Sequence, residues 1–199
     1  MNKLSKNHKF ENAALIRDKL GVLDHLKNVA IGLRDDVFNG TNIIFKRIEC
    51  YDISNIGGKY AVGSMVVFVD GKKSTDDYRQ FKIKANDETS NDLAMIKEVF
   101  ERRLSNNWPK PDLIIVDGGT NHLRVVLEVL EHKKIMIPVV SVAKGPKRDK
   151  NEFHFSDSFV AKYIKTSQEL QNIIISSRDE AHRFAISYYR KLHKKDMFR

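Results

Sequence analysis

Arg47-Ile48-Glu49-Cys50-Tyr51-Asp52-Ile53-Ser54-Asn55 is the stretch on which the fold turns. It reads as a strand, and successive side chains of a strand point to opposite faces. Ile48, Cys50 and Asp52 therefore share one face, while Glu49, Tyr51 and Ile53 share the other. Asp52 keeps apolar company, and a carboxylate on a buried face is costly unless a cation or hydrogen-bond donor meets it. Three readings fit a single such Asp: a buried salt bridge, a turn cap at a strand end, or a metal ligand. The segments that follow weigh on that choice, because two of them repeat the pattern.

Downstream, Asn55-Ile56-Gly57-Gly58-Lys59 is a glycine-bearing turn, and Tyr60 to Val69 is a valine-rich strand. Asp70-Gly71 signals a hairpin, and Tyr78-Arg79-Gln80-Phe81-Lys82-Ile83-Lys84 gives a third strand, so an antiparallel meander is expected. Gly57-Gly58 is no phosphate loop, since no helix and no GK[ST] signature follow. A helix is expected from Ser90 to about Leu104, with Ala94, Met95, Val99 and Phe100 on its inner face. Leu113-Ile114-Ile115-Val116-Asp117-Gly118-Gly119 is continuously apolar before its Asp, the mark of a strand buried on both faces. A helix from Leu123 to about Lys133 and a buried strand over Pro138 to Ala143 complete a strand-helix-strand crossover. Lys144 to Lys150 is a basic loop, Phe153-His154-Phe155 a short strand, and Gln168 to Ile174 a short helix. A last element runs from about Ser177 to His193 and carries Arg178 to Ala185.

Upstream, residues 1 to about 30 read as helical, with Phe10, Ala13, Ala14, Ile16, Leu20, Leu23 and Leu26 among the apolar positions spaced by threes and fours. Gly32 to Asn42 is polar and turn-rich, which places a boundary near Gly40: a helical segment and linker over 1–40 and a domain over 41–199. Phe10 to Leu20 resembles the UVR motif shared by the bacterial repair proteins UvrB and UvrC. The chain has 199 residues, 41% hydrophobic, enough for a real core. Its formal charge of +9 and pI near 9.5 point to a polyanionic partner. The single cysteine, Cys50, excludes an intramolecular disulfide and a cysteine-based zinc cluster and fits a reducing cytoplasm. No long apolar run and no signal-peptide pattern is present, so no membrane partner is expected.

The element order of meander, helix, strand, helix, strand resembles the ribonuclease H-like fold, an α/β mixed sheet flanked by helices. That resemblance implies that the Asp52 strand and the Asp117 strand lie side by side and parallel, bringing two carboxylates together at the end of the sheet where open α/β folds bind ligands. Such a pair repels itself unless a cation sits between, and oxygen ligands suit Mg²⁺ or Mn²⁺.

Ile48 to Asn55, Pro111 to Gly119, Ser141-Val142-Ala143-Lys144-Gly145 and Arg178 to Ala185 together resemble the C-terminal endonuclease domain of UvrC, over nearly all of residues 46 to 193. The resemblance implies a catalytic set of Asp52, Asp117 and His182, with Asp92 at a further acidic position. Asp52, Asp117 and His182 would hold the metal. Asp92 has an alternative as a helix N-terminal charge, and His182 as a helix-surface histidine, a metal ligand or a proton carrier. The implied activity is 5′ incision of damaged duplex DNA in a UvrB complex, with Mg²⁺ or Mn²⁺ as cofactor and no small-molecule substrate. Lys82, Lys84, Arg102, Arg103, Lys144, Lys147, Arg148, Arg190 and Lys191 are candidate phosphate contacts, with a solvated charge as the alternative for each. Phe10, Ala13, Ala14, Ile16 and Arg17 are candidate UvrB-docking residues. Thr120-Asn121-His122 departs from the Lys-Gly-Gln common in the family. The family's GIY-YIG and helix-hairpin-helix domains have no counterpart here, so 3′ incision is not expected. Two other functions fit the fold: a non-catalytic module that docks on UvrB and DNA, and a nuclease for junctions or RNA-DNA hybrids.

Overall fold

The computed structural model describes residues 45–56, 60–83, 92–144 and 151–197. The UVR-like segment, the boundary near Gly40, and Lys84, Lys147 and Arg148 lie outside these residues. Seven strands form one sheet: β1 (Arg47–Ile56), β2 (Tyr60–Val69), β3 (Lys72–Lys73), β4 (Arg79–Lys82), β5 (Leu113–Asp117), β6 (Val139–Lys144) and β7 (Asn151–Phe155). Their order is β3-β2-β1-β5-β6-β7, with β4 also paired to β2. β1 runs antiparallel to β2 and parallel to β5, β5 runs parallel to β6, and β7 returns antiparallel. This is the ribonuclease H-like mixed sheet that the element order implies.

Helices α1 (Asp92–Leu104) and α2 (Thr120–His132) pack together against one side of the sheet. Helix α4 (Gln168–Met197) lies along β1 and β2, with α3 (Ser158–Thr166) beside it and against β7. The odd residues of β1 face the first layer, where the Tyr51 ring packs against Phe100 with centroids 4.5 Å apart and planes tilted by 42°. Helix α1 approaches β2 so closely that a Cβ on Gly63 would meet Val99 at 2.5 Å. No described helix is long and apolar enough to cross a membrane.

Several elements differ from the expectations. The third strand is split: Thr75–Asp77 forms a 3-10 turn, leaving a two-residue β3 and a shorter β4. Asp77 explains the break, because its carboxylate accepts hydrogen bonds from Arg47 and Ser74 and stabilises a turn there. Helix α2 begins at Thr120, three residues before the first apolar residue of its core face. Helix α3 was not expected; Asp157 caps it by accepting from the Val160 N–H, and Val160 and Ile164 bury its inner face. The short helix and the last element are one continuous α4. Ser177, where a break was placed, donates its hydroxyl to the Ile174 carbonyl and so is satisfied inside the helix.

The first strand does contain a buried salt bridge, but at Glu49. Its carboxylate accepts from Arg103 at 2.9 and 2.7 Å, from Tyr51 at 2.7 Å and from Arg47 at 3.3 Å. Arg103 is only 2% exposed and also donates to the Pro109 carbonyl. The expectation that Arg103 contacts DNA is therefore corrected: its guanidinium is spent inside the fold, on a fully buried carboxylate for which it is the nearest cation. Removing one partner of such a pair strands the other. Arg103→Ala should thus lower unfolding stability by about 3–5 kcal/mol, read by denaturant titration. A stability loss below about 1 kcal/mol, the range of an exposed ion pair, would contradict this account.

Candidate metal centre

The parallel register of β1 and β5 aligns Tyr51 with Val116, so the next residues, Asp52 and Asp117, are neighbours on the same sheet face. The β5 strand is fully buried up to Val116 and then breaks. Gly118 has φ +146°, a conformation that suits glycine, and any Cβ there would strike the His122 ring at 2.1 Å. The chain then enters α2 directly, with Gly119 as its N-cap. Asp117 is therefore left at the edge of the sheet, half-buried, beside the buried Asp52.

His182 comes from α4. Its Nδ1 lies 3.1 Å from Asp52 Oδ2, and its ring is otherwise open to solvent. Asp52, Asp117 and His182 each present one ligand atom, and these atoms lie within 4.8 Å of one another. Helix α4 is seated by small residues and by charge. Ala181 and Ala185 are buried and allow close approach, while the buried Glu180 accepts from Lys73, Tyr78 and Arg183. Arg183 first, and then Lys73, hold the Glu180 carboxyl down to about 2, so the anchor persists through neutral and mildly acidic pH.

Burial pushes the Asp52 carboxyl above its ordinary 3.8; the His182 hydrogen bond and the charges of His182 and Lys144 pull it back. Burial also raises Asp117, and the charge of Asp52 adds to that rise, against Arg178, His182 and Lys144. Among the described residues neither carboxylate forms a salt bridge with Lys or Arg. The Ser64 hydroxyl, directly opposite Asp52 on β2, is buried without a hydrogen-bond partner. Two crowded carboxylates, one imidazole and an orphaned hydroxyl fit a divalent cation: oxygen donors suit Mg²⁺, and a mixed oxygen and nitrogen set also suits Mn²⁺. The Cys50 thiol, on the same face, is buried and pushed up by that burial, so it supplies no nucleophile.

Asp92 is not in this cluster. It begins α1, exposed, and its charge acts on His122. His122, whose ring burial lowers its pKa, accepts the Gly119 N–H on Nδ1 at 3.2 Å, which leaves the proton of the neutral ring on Nε2. Lys144 does reach the site. It follows Val142 by two residues, shares the Asp117 face and is exposed. Lys82 is exposed on β4 on the Asp52 face, two residues beyond Gln80, which pairs with Ser64. Arg102 is partly committed, donating to the Lys82 carbonyl and to Glu98. Arg190 and Lys191 fall on the later turns of α4. Arg178 enters the sequence reading only as the start of the stretch Arg178 to Ala185. It is buried one turn before His182, donates to Asn151 on β7 and to Asp179, and opposes the charge of Asp117.

Residues 39–186 match the family model of the UvrC RNase H endonuclease domain. The chain is 37% identical over 191 residues to the UvrABC system protein C of Methanothermobacter thermautotrophicus, covering 96% of this chain and 31% of that protein. Against the UvrABC system protein C of Chlorobium phaeobacteroides it is 47% identical over 152 residues, covering 73% of this chain and 23% of that protein. The chain thus spans about a third or less of the length of these curated relatives. A solved structure of Ciona intestinalis endonuclease V with a 24mer DNA containing inosine aligns over 61% of this chain and 55% of that chain. Its TM-score is 0.37 at 20% identity, too distant to carry an argument.

The raised carboxyls have a consequence for stability. Both bind protons more readily folded than unfolded, so their contribution is most favourable below about the ordinary 3.8 and is lost as pH rises through the raised folded values. Asp117→Asn removes one repelling charge. In chelator at pH 7 it should melt above the parent protein, with the gap closing below pH 3.8. Added Mn²⁺ should raise the melting temperature of the parent far more than that of the variant. A variant that melts below the parent in chelator at pH 7 would contradict the account.

Proposed function

This chain belongs to the family of the UvrC RNase H endonuclease domain, and we propose that it hydrolyses a phosphodiester of DNA with a divalent metal held by Asp52, Asp117 and His182. The observation that carries this reading is the cluster of their ligand atoms within 4.8 Å, in which neither carboxylate salt-bridges a Lys or Arg among the described residues. A bound Mg²⁺ or Mn²⁺ would supply Lewis-acid stabilisation of charge on phosphorus and a more acidic water. The chain's own residues do the rest. Asp52 and Asp117, rigid on adjacent strands, set the position of the charge. His182, whose Nδ1 lies 3.1 Å from Asp52 Oδ2, would give one ring-nitrogen lone pair to the metal as the third ligand. Lys144 places a cation at the rim, where a phosphate can be drawn in without any base being read.

The substrate class follows the relatives. The reading is 5′ incision at a lesion in a UvrB-bound complex, as part of nucleotide excision repair, with Phe10, Ala13, Ala14, Ile16 and Arg17 as the docking residues for UvrB. It is supported by the family match and by the net charge of +9. Asp92 is assigned a supporting role through His122 rather than a ligand position.

A nicking assay on lesion-bearing duplex with purified UvrB tests both parts. Parent protein should cut only with Mg²⁺ or Mn²⁺, while Asp52→Ala and Asp117→Ala should each lose at least about a hundredfold in rate, the scale of one electrostatic catalytic contact. Cutting that is undiminished in both folded variants, or that prefers an RNA-DNA hybrid or a junction, would overturn the assignment. Deleting residues 1 to 40 should abolish capture by UvrB and leave metal-dependent cutting of free DNA intact; retained capture would remove the docking role.

A further inference from the structure

The row that holds the two carboxylates continues beyond them. Asp117 stands opposite Val142 on β6, and Val142 opposite Phe153 on β7. Phe153 is therefore on the catalytic face, two strands from Asp117 and about 10 Å away at ordinary strand spacing. Phe155, two residues on, shares that face. The two rings lie 6.3 Å apart with planes 13° from parallel, and both are only half-buried. β7 is the last strand of the sheet. The buried Val142 stands between Phe153 and Asp117, and the exposed Lys144, two residues further along β6 on the same face, lies opposite Asn151.

Cations continue along the same side. Lys165 Nζ lies 5.6 Å from the Phe155 ring centroid. On α3, Phe159 is 40% exposed, and the exposed Lys162 follows it by three residues on the same helix face. The acidic neighbours do not cancel this charge. Glu152 pairs with Ala143 and so projects to the opposite face of β7, and Asp157 is engaged as the α3 cap. Flat apolar rings set among lysines, continuous with a phosphodiester-cutting centre, suit one kind of occupant: a polyanionic strand whose bases are free to stack.

We propose that Phe153 and Phe155, with Lys144 and Lys165, form a shelf on which the cut strand lays an unpaired base beside the scissile phosphodiester. This rests on the reading of the site as a DNA nuclease, and it adds that the strand is held single-stranded on the β7 side. The rings provide stacking without reading sequence, and the lysines hold the backbone.

The test uses the full chain in chelator, so that binding is read without cutting, and a single-stranded oligonucleotide carrying 2-aminopurine, compared with its duplex. Parent protein should bind the single strand more tightly than the duplex and quench the fluorophore. Phe153→Leu keeps apolar bulk but removes the ring; it should abolish most quenching and weaken single-strand binding about tenfold, with duplex binding within about twofold of parent. Phe153→Tyr retains the ring and should behave as parent, which separates stacking from any folding defect in the leucine variant. Equal quenching by parent and Phe153→Leu, or tighter binding of duplex than of single strand by parent, would overturn the shelf. If quenching depends on Phe153 but no metal supports cutting, the shelf stands and the nuclease reading falls; if cutting occurs while quenching ignores Phe153, the reverse holds.

Discussion

Two carboxylates in one sheet row, side by side and largely out of water, are the constraint on which the functional reading depends. Parallel pairing of β1 with β5 leaves no freedom in the matter: once Tyr51 lies beside Val116, Asp52 must lie beside Asp117. Burial raises both carboxyls, and the charge of Asp52 raises Asp117 further. The same strand shows what the fold does when a carboxylate is structural. Glu49, three residues earlier on the opposite face, is met by Arg103, Tyr51 and Arg47. Among the described residues Asp52 has only an exposed imidazole hydrogen-bonded to its carboxylate. The asymmetry separates a buried charge neutralised within the fold from one with no Lys or Arg paired to it among the described residues.

The helix that supplies that imidazole is held independently of the metal centre. Glu180 ties α4 to Lys73 and Tyr78 on the β3–β4 side, while Arg178 reaches Asn151 on β7. Both anchors lie within the turn of α4 before His182, one reaching toward each edge of the sheet. His182 is therefore positioned by contacts that do not involve Asp52 or Asp117, which is the preorganisation a metal centre requires.

What could be read from the sequence divides along physical lines. Alternation in β1 placed Asp52 on a buried face, and the unbroken apolar run before Asp117 marked a central strand; both signals are local and strong. The buried state of Glu49 and Arg103 was not legible, because alternation names a face but not which long-range partner meets it. A basic residue near the end of α1 looks the same in sequence whether it faces solvent or reaches into the core. Helix α3 escaped notice because nine residues give only about two and a half turns of periodicity. The Ser177 break was a false boundary, since Ser favours helix ends unless, as here, its hydroxyl is satisfied by the preceding turn. Lys144 is among the candidate phosphate contacts named from the sequence, and its parity, two residues after Val142, puts it on the face that Asp117 shares.

The central claim is that one divalent ion is held jointly by Asp52, Asp117 and His182. Pulsed electron paramagnetic resonance of Mn²⁺ bound to the full chain, prepared with ¹⁵N-labelled histidine, tests it most directly. The account predicts one tightly bound ion coupled to a single imidazole nitrogen, with the coupling lost in His182→Ala and tight binding lost in Asp52→Asn. Tight Mn²⁺ binding with no nitrogen coupling, or binding indifferent to Asp52, would contradict it.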